Sequence, residues 1–135
     1  MKTIYIGLPT KDLTRSTRFY AALGFTKDDK FSDDTTSTMI WSEAITFQLQ
    51  THAKFKGWVD KEVVDARTTA GALVTLSQEN RADVDNIVEA AAKHGGKAGE
   101  RDPIDLGWLY NRSFEDPDGH MFEAVWLDPA GAASM

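Results

Sequence analysis

One order of hydrophobic periods runs through this chain twice, over residues 3–50 and again over 71–127. Each copy reads as a strand, a helix closed by glycine, and two or three further strands. In the first copy Ile4, Ile6 and Leu8 alternate on one face of a strand. Pro9 ends it, because proline offers no ladder N–H. Asp12 then caps a helix whose apolar stripe is Leu13, Ser16, Phe19, Tyr20 and Leu23, and Gly24 supplies the left-handed residue that stops it. Residues 38–41 and 45–50 read as strands joined by a link of hairpin length. The charged stretch 26–36 reads as a solvated loop. In the second copy, 72–77 is a strand. Asn80 caps a helix with Val84, Ile87, Val88 and Ala91 on its apolar face, and Gly95-Gly96 stops it. Residues 97–101 read as a short edge strand. Strands 108–114 and 121–127 flank a turn built on Pro117-Asp118-Gly119, where proline presets φ and glycine accepts a positive φ. The intervening residues 51–70 are irregular, with a short helix at 60–66, and read as a linker or a functional flap. Residues 128–135 read as a frayed, flexible tail.

A strand–helix–strands unit covers one face of its sheet with its own helix. The other face must meet a partner sheet or enclose a cleft. The expected fold class is therefore α+β: one domain over residues 1–127, made of two βαβββ modules. A chain of 135 residues, 41% hydrophobic, is long enough for one sizeable core. Charge narrows the function. With 15 Lys and Arg against 21 Asp and Glu, the net charge is −6, which disfavours nucleic acid and anionic membrane as partners. No window approaches 18 apolar residues, so no membrane span is expected. The opening MKTIYIGLP lacks the long apolar core and small-residue cleavage site of a signal peptide. Without cysteine there is no disulfide, thiolate metal site or cysteine nucleophile, in keeping with a cytoplasmic location.

Several side chains are candidates to carry chemistry, and Glu123 points into the cleft if the bulkier aromatic face of its strand packs on the helices. Glu123 alternates with Met121 and Val125 against Phe122, Ala124 and Trp126. It is either a general base in the cleft or a carboxylate paired with an arginine. Tyr5 and Gly7 oppose Ile4, Ile6 and Leu8. Tyr5 reads as a ligand contact or a cleft-filling ring, with Gly7 leaving room for a ligand. Gln48 and Gln50 oppose Phe47 and Leu49, as hydrogen-bonding amides or as solvent-facing polar positions. Trp108, Tyr110 and Arg112 form an aromatic and cationic stripe. Arg112 is placed either to clamp a carboxylate or phosphate, or to pair with Glu123 or Glu115. Trp41, Trp108 and Trp126 could line an aromatic pocket, although Trp126 also suits helix packing. His120 belongs to the turn, His94 closes a helix where a cation suits the dipole, and His52 lies in the irregular link.

Two stretches carry a resemblance. Ile6-Gly7-Leu8-Pro9, Asp12-Leu13, Ser16, Phe19-Tyr20 and Leu23-Gly24-Phe25 resemble the first module of the vicinal oxygen chelate superfamily, which holds glyoxalase I, fosfomycin- and bleomycin-resistance proteins and extradiol dioxygenases. Ser113 through Glu123 resembles its closing hairpin. The resemblance implies two βαβββ modules, a sheet-lined cleft and a homodimer. Metal enzymes of that superfamily commonly ligate through a His on the first strand, a His on the first strand of the second module and a Glu on the last strand. Here those positions carry Tyr5, Leu73 and Glu123, and a late strand of the first module offers only Gln48 or Gln50. The implied branch lacks the usual metal-binding histidines, with no metal and no cofactor. The function expected from it is binding of a small organic ligand, and the residues expected to make the contacts, from their strand positions, are Tyr5, Gln48, Gln50, Trp108, Tyr110 and Arg112. The alternative is a glyoxalase-related lyase or isomerase using Glu123 as catalytic base.

Overall fold

A computed structural model describes residues 1–132 of the chain, which divides into two compact units, Met1–Asp65 and a second beginning at Ala66. In the first unit, β1 (Ile4–Thr10) leads to α1 (Leu13–Ala22), β2 (Thr26–Lys27), a 3-10 turn (Asp29–Phe31), β3 (Thr36–Ile40), β4 (Ile45–Thr51) and α2 (His52–Lys56). The sheet order is β1-β4-β3-β2, with β1 parallel to β4 and the other pairs antiparallel. The Asp12 carboxylate accepts the Arg15 N–H at 3.0 Å, the N-cap read from sequence. Gly24 ends α1 at φ +103°, where a side chain would be strained. Phe19 and Tyr20 of α1 are buried with Met39 of β3 and with Phe47 and Leu49 of β4.

The second unit repeats the plan. It contains β5 (Leu73–Ser77), α3 (Arg81–Lys93), β6 (Lys97–Ala98), β7 (Ile104–Asp105), β8 (Leu109–Glu115), β9 (Met121–Leu127) and α4 (Pro129–Ala132). Its sheet runs β5-β9-β8-β6, again with the first strand parallel to the last, and β7 pairs with β8. The Asn80 side chain accepts the Asp83 N–H at 2.8 Å. Val84, Ile87, Val88 and Ala91 bury against the sheet face formed by Phe114, Phe122 and Ala124. Phe114 and Phe122 stack with centroids 5.2 Å apart.

Local differences from the sequence reading have physical causes. The helix of the 51–70 stretch lies at His52–Lys56 and not at 60–66. Thr51 caps it by accepting the Lys54 N–H, whereas 60–66 carries adjacent β-branched Val63 and Val64. The charged stretch 26–36 is only partly a loop, since it holds β2, the 3-10 turn and the start of β3. Thr36, Ser37 and Thr38 are buried there. Ser37 shares a 2.7 Å hydrogen bond with Thr17 of α1, and the Thr38 hydroxyl donates to the Phe31 carbonyl. The edge strand is confined to Lys97–Ala98, and β8 begins one residue after Trp108. Of the tail, Pro129–Ala132 is helical and 133–135 lie outside the described residues. Among the described residues no helix is long and apolar enough to cross a membrane.

Candidate functional site

The face of the first sheet that α1 leaves uncovered carries Gly7, Gln48 and Gln50, matched across the sheet by Thr38 and Thr36. Two segments wall this face, one from the stretch read as a solvated loop and one from the stretch read as a linker or a functional flap. The first is the 3-10 turn, held to β3 by the Thr38–Phe31 bond and by the Ser32 hydroxyl, which accepts the Thr38 N–H at 3.0 Å. It carries Phe31. The second is α2, which leaves β4 directly and carries Lys54 and Phe55, with Trp58 just beyond its end. Together they enclose a concavity of about 440 Å³ lined by Gln48, Gln50, Thr36, Phe31, Phe55 and Trp58, with Lys54 and Asp33 at its wall. Gly7 does leave room, but the Phe55 ring takes it: a Cβ at Gly7 would sit 3.7 Å from Phe55 Cε2. The amides of Gln48 and Gln50 make no hydrogen bond to another described residue, and Gln50 is only 7% exposed, so it is not an ordinary solvent-facing position. Tyr5 lies on the same edge strand at 64% exposure, outside the lining of this concavity.

Asp33 ionises more readily than an ordinary aspartate. The Thr35 N–H, 2.8 Å from its carboxylate, is the main cause, and the Thr35 hydroxyl, the Thr36 N–H and the Lys54 charge add to it. Lys54 lies 5.6 Å from the centre of the Trp58 ring, within cation–π range. One cation and one anion thus face this cleft.

The second unit has its own concavity, about 270 Å³, on the face of its sheet away from α3. Leu73, Met121, Ser113, Glu115, Glu123, Lys97 and Arg101 line it. Glu123 therefore points where its alternation indicated. Its carboxylate is already engaged: Arg101 donates to it at 3.0 Å and the Thr75 hydroxyl at 2.9 Å. Arg101 also donates to the Asn111 side chain at 2.6 Å.

The match to known proteins extends over nearly the whole chain. The family model described as Glyoxalase/Bleomycin resistance protein/Dioxygenase superfamily matches residues 2–124. The chain belongs to this superfamily. A hypothetical protein of S. aureus is similar at TM-score 0.77 and 22% identity, covering 93% of this chain and 94% of that one. A glyoxalase/bleomycin resistance protein/dioxygenase family enzyme of Burkholderia phytofirmans reaches TM-score 0.75 at 14% identity, covering 94% and 99%. The fosfomycin resistance protein FosX of Mesorhizobium loti reaches 0.67 at 16%, covering 96% and 95%. At such identities the likeness extends to the fold alone. No curated protein matches the sequence.

The superfamily's usual metal does not fit the donor atoms here. Leu73 has no donor atom. Glu123 already accepts from a guanidinium and a hydroxyl, and the Arg101 charge beside it disfavours a cation there. Asp116, Asp118 and His120 do place ligand atoms within 4.8 Å of one another. That cluster is the turn between β8 and β9: one Asp116 carboxylate oxygen accepts the N–H of Asp118 at 3.0 Å and of His120 at 2.8 Å. Such side-chain bonds hold tight turns without an ion.

Tyr110 and Arg112 correct the sequence reading. They face α3, opposite the second concavity, because alternation along β8 groups them with buried Phe114. The Tyr110 hydroxyl donates to Asp85 at 2.7 Å and Arg112 donates to the same oxygen at 2.9 Å. Arg112 thus pairs with Asp85, and not with Glu123 or Glu115. The Tyr110 bond holds Asp85 below the usual carboxylate range and raises the Tyr110 phenol, with Arg112 adding to the effect on Asp85. Arg81 covers the Tyr110 ring at 4.4 Å and lies 5.9 Å from the ring of Trp126. Trp108, expected in the same strand stripe, sits in the bend before β8, its carbonyl accepting the Asp128 N–H at 2.7 Å. Trp41 packs on Phe25 at 5.1 Å, so neither it nor Trp126 lines either concavity.

Arg81 also forms a two-bond pair with Asp105, at 2.6 and 3.1 Å. This pair, helped by the Gly107 N–H, lowers the Asp105 carboxyl to about 2. A depressed folded pKa gives stability that is complete above the unfolded value of about 4 and lost as pH falls through the folded one. Urea unfolding at stepped pH is therefore expected to show a shallower loss of stability between about pH 4 and pH 2 in Asp105→Asn than in the native chain. Identical slopes would remove the pair from the acid response.

Proposed function

We propose that this protein binds a small organic molecule in the cleft of its first unit, without the divalent metal usual in its superfamily. The observation that carries the reading is the lining of that cleft: free amides at its floor and aromatic rings at its walls, in a volume suited to a small molecule. The test is direct. Purified protein is denatured and the supernatant analysed by mass spectrometry, while a parallel sample is analysed for metals. A small aromatic compound with substoichiometric zinc, nickel, manganese and iron is the expected result. One equivalent of tightly held metal would overturn the reading.

The second reading is a lyase or isomerase of the glyoxalase-related type with Glu123 as general base. It is favoured by the carboxylate lining the second concavity. Glu123 would first have to exchange the Arg101 bond for a substrate proton. Glu123→Gln is expected to leave ligand binding in the first unit unchanged, and a loss of turnover in this variant would establish the enzymatic reading.

We propose further that the protein works in the cytoplasm as a homodimer. Ile4 and Tyr5 on edge strand β1, and Leu73 on edge strand β5, are more than half exposed, the kind of apolar edge that a partner chain covers. Sedimentation is expected to return twice the chain mass, and a monomer at working concentration would overturn the dimer.

A further inference from the structure

The polar floor of the first cleft narrows the class of molecule that suits it. Gln50 is more than nine-tenths buried, lines the concavity and makes no hydrogen bond to another described residue. Its amide atoms are not sealed from the cleft, so water meets them when the cleft is open, and an occupant that displaces this water has to replace its hydrogen bonds. An amide presents an N–H donor and a carbonyl acceptor side by side, and the group that satisfies both at once presents an acceptor and a donor in the same spacing. Gln48, two residues along β4 and on the same face, offers a second amide beside it.

The walls narrow the class further. Phe31 is 70% and Trp58 69% exposed although both line the concavity, and the Phe55 ring reaches from α2 to Gly7. Rings left this open at the rim of a cleft gain burial from an apolar occupant, and flat faces favour a flat one. Lys54 and Asp33 give the wall one charge of each sign, so it carries no net charge that would select an anion or a cation. Resting on the small-molecule reading above, we infer that the first cleft takes an uncharged, planar aromatic lactam, its adjacent N–H and C=O paired with the Gln50 amide and its ring against Phe31 and Trp58.

Carbostyril, a bicyclic lactam, and its N-methyl derivative make the decisive pair of probes, because they share the ring and the carbonyl and differ at the donor. Calorimetric titration of the full chain is expected to show carbostyril binding about tenfold more tightly, the effect of one hydrogen bond of roughly 1.4 kcal/mol. Gln50→Leu is expected to bring the two compounds level, and Trp58→Ala to weaken both alike. Side-chain amide resonances of Gln48 and Gln50 in the native chain are expected to shift with carbostyril, a readout independent of how the variants fold. Equal binding of both compounds to the native chain overturns the lactam and leaves small-molecule binding standing. Preference for carbostyril that survives in folded Gln50→Leu, or that moves neither amide resonance, also overturns the inference. Binding of neither compound overturns the lactam, and the mass-spectrometric test then decides the broader reading alone.

Discussion

Replacing Phe47 with alanine is expected to cost about 3–5 kcal/mol of stability, the range for emptying a fully buried aromatic site. Phe47 has no exposed surface and lies at the middle of β4, paired with Ile6 on one side and Met39 on the other. Its ring meets Phe25 edge-on at 5.0 Å and Tyr20 at 5.9 Å. The strands on both sides hold its backbone in place, so the surrounding side chains can close only part of the cavity. Urea unfolding followed by near-ultraviolet circular dichroism measures the loss. Phe31→Ala serves as the control: the same change of residue at an open ring in the cleft is expected to move stability by less than about 0.5 kcal/mol. Equal effects at the two positions would contradict the assignment of Phe47 to the core and Phe31 to the site.

Gly119→Ala is expected to be nearly as damaging, by about 3 kcal/mol, for two reasons that add. Gly119 turns the chain between β8 and β9 at φ +92°, a backbone that costs a side chain of order 1–3 kcal/mol. A Cβ there would also meet the backbone of Ala66 and Arg67 at 2.8 Å, and backbone cannot swing aside as a long side chain can. The neighbouring chain is pinned as well, since Arg67 donates to the Pro117 carbonyl at 3.2 Å. Gly71→Ala is the matched control, with open space around it and no positive φ. It is expected to be neutral or slightly stabilising, because alanine restricts the unfolded chain. Comparable loss at Gly71 and Gly119 would dismiss the close-approach argument.

The sequence carried the architecture because each of its signals is local. Asp12 and Asn80 cap because a short polar side chain reaches the N–H three residues on, and both do so here. The stripe Val84, Ile87, Val88 and Ala91 is one helix face in any context, and it is buried. Alternation along β4 and β9 sorted Phe47 from Gln48 and Phe122 from Glu123 before any packing was known. Where short polar residues are buried, the same reasoning fails. Thr36 to Thr38 resemble a loop by composition and became the strand beneath the cleft because Thr17 and Phe31 supply their partners.

The site was less legible. Gln48 and Gln50 could be named from period alone, and so could the inward face of Glu123. The walls could not. Phe31 is a lone aromatic residue in a charged stretch, while Phe55 and Trp58 lie in a segment without a clean period. Only the reading of 51–70 as a functional flap pointed there. Tyr110 and Arg112 show the opposite failure. Their spacing put them on one face, but which face met the helix depended on Asp85, whose side chain is 25 and 27 positions away in sequence.

Periodicity, caps and turn residues were thus enough to establish two copies of a βαβββ unit and which side chains of a strand would share a face, because these depend on backbone geometry within a few residues. Which faces are walled, which polar groups keep a free hydrogen-bonding edge and which charges neutralise one another were decided by tertiary structure. Those properties come from contacts between distant segments, and no local pattern encodes a partner that far along the chain.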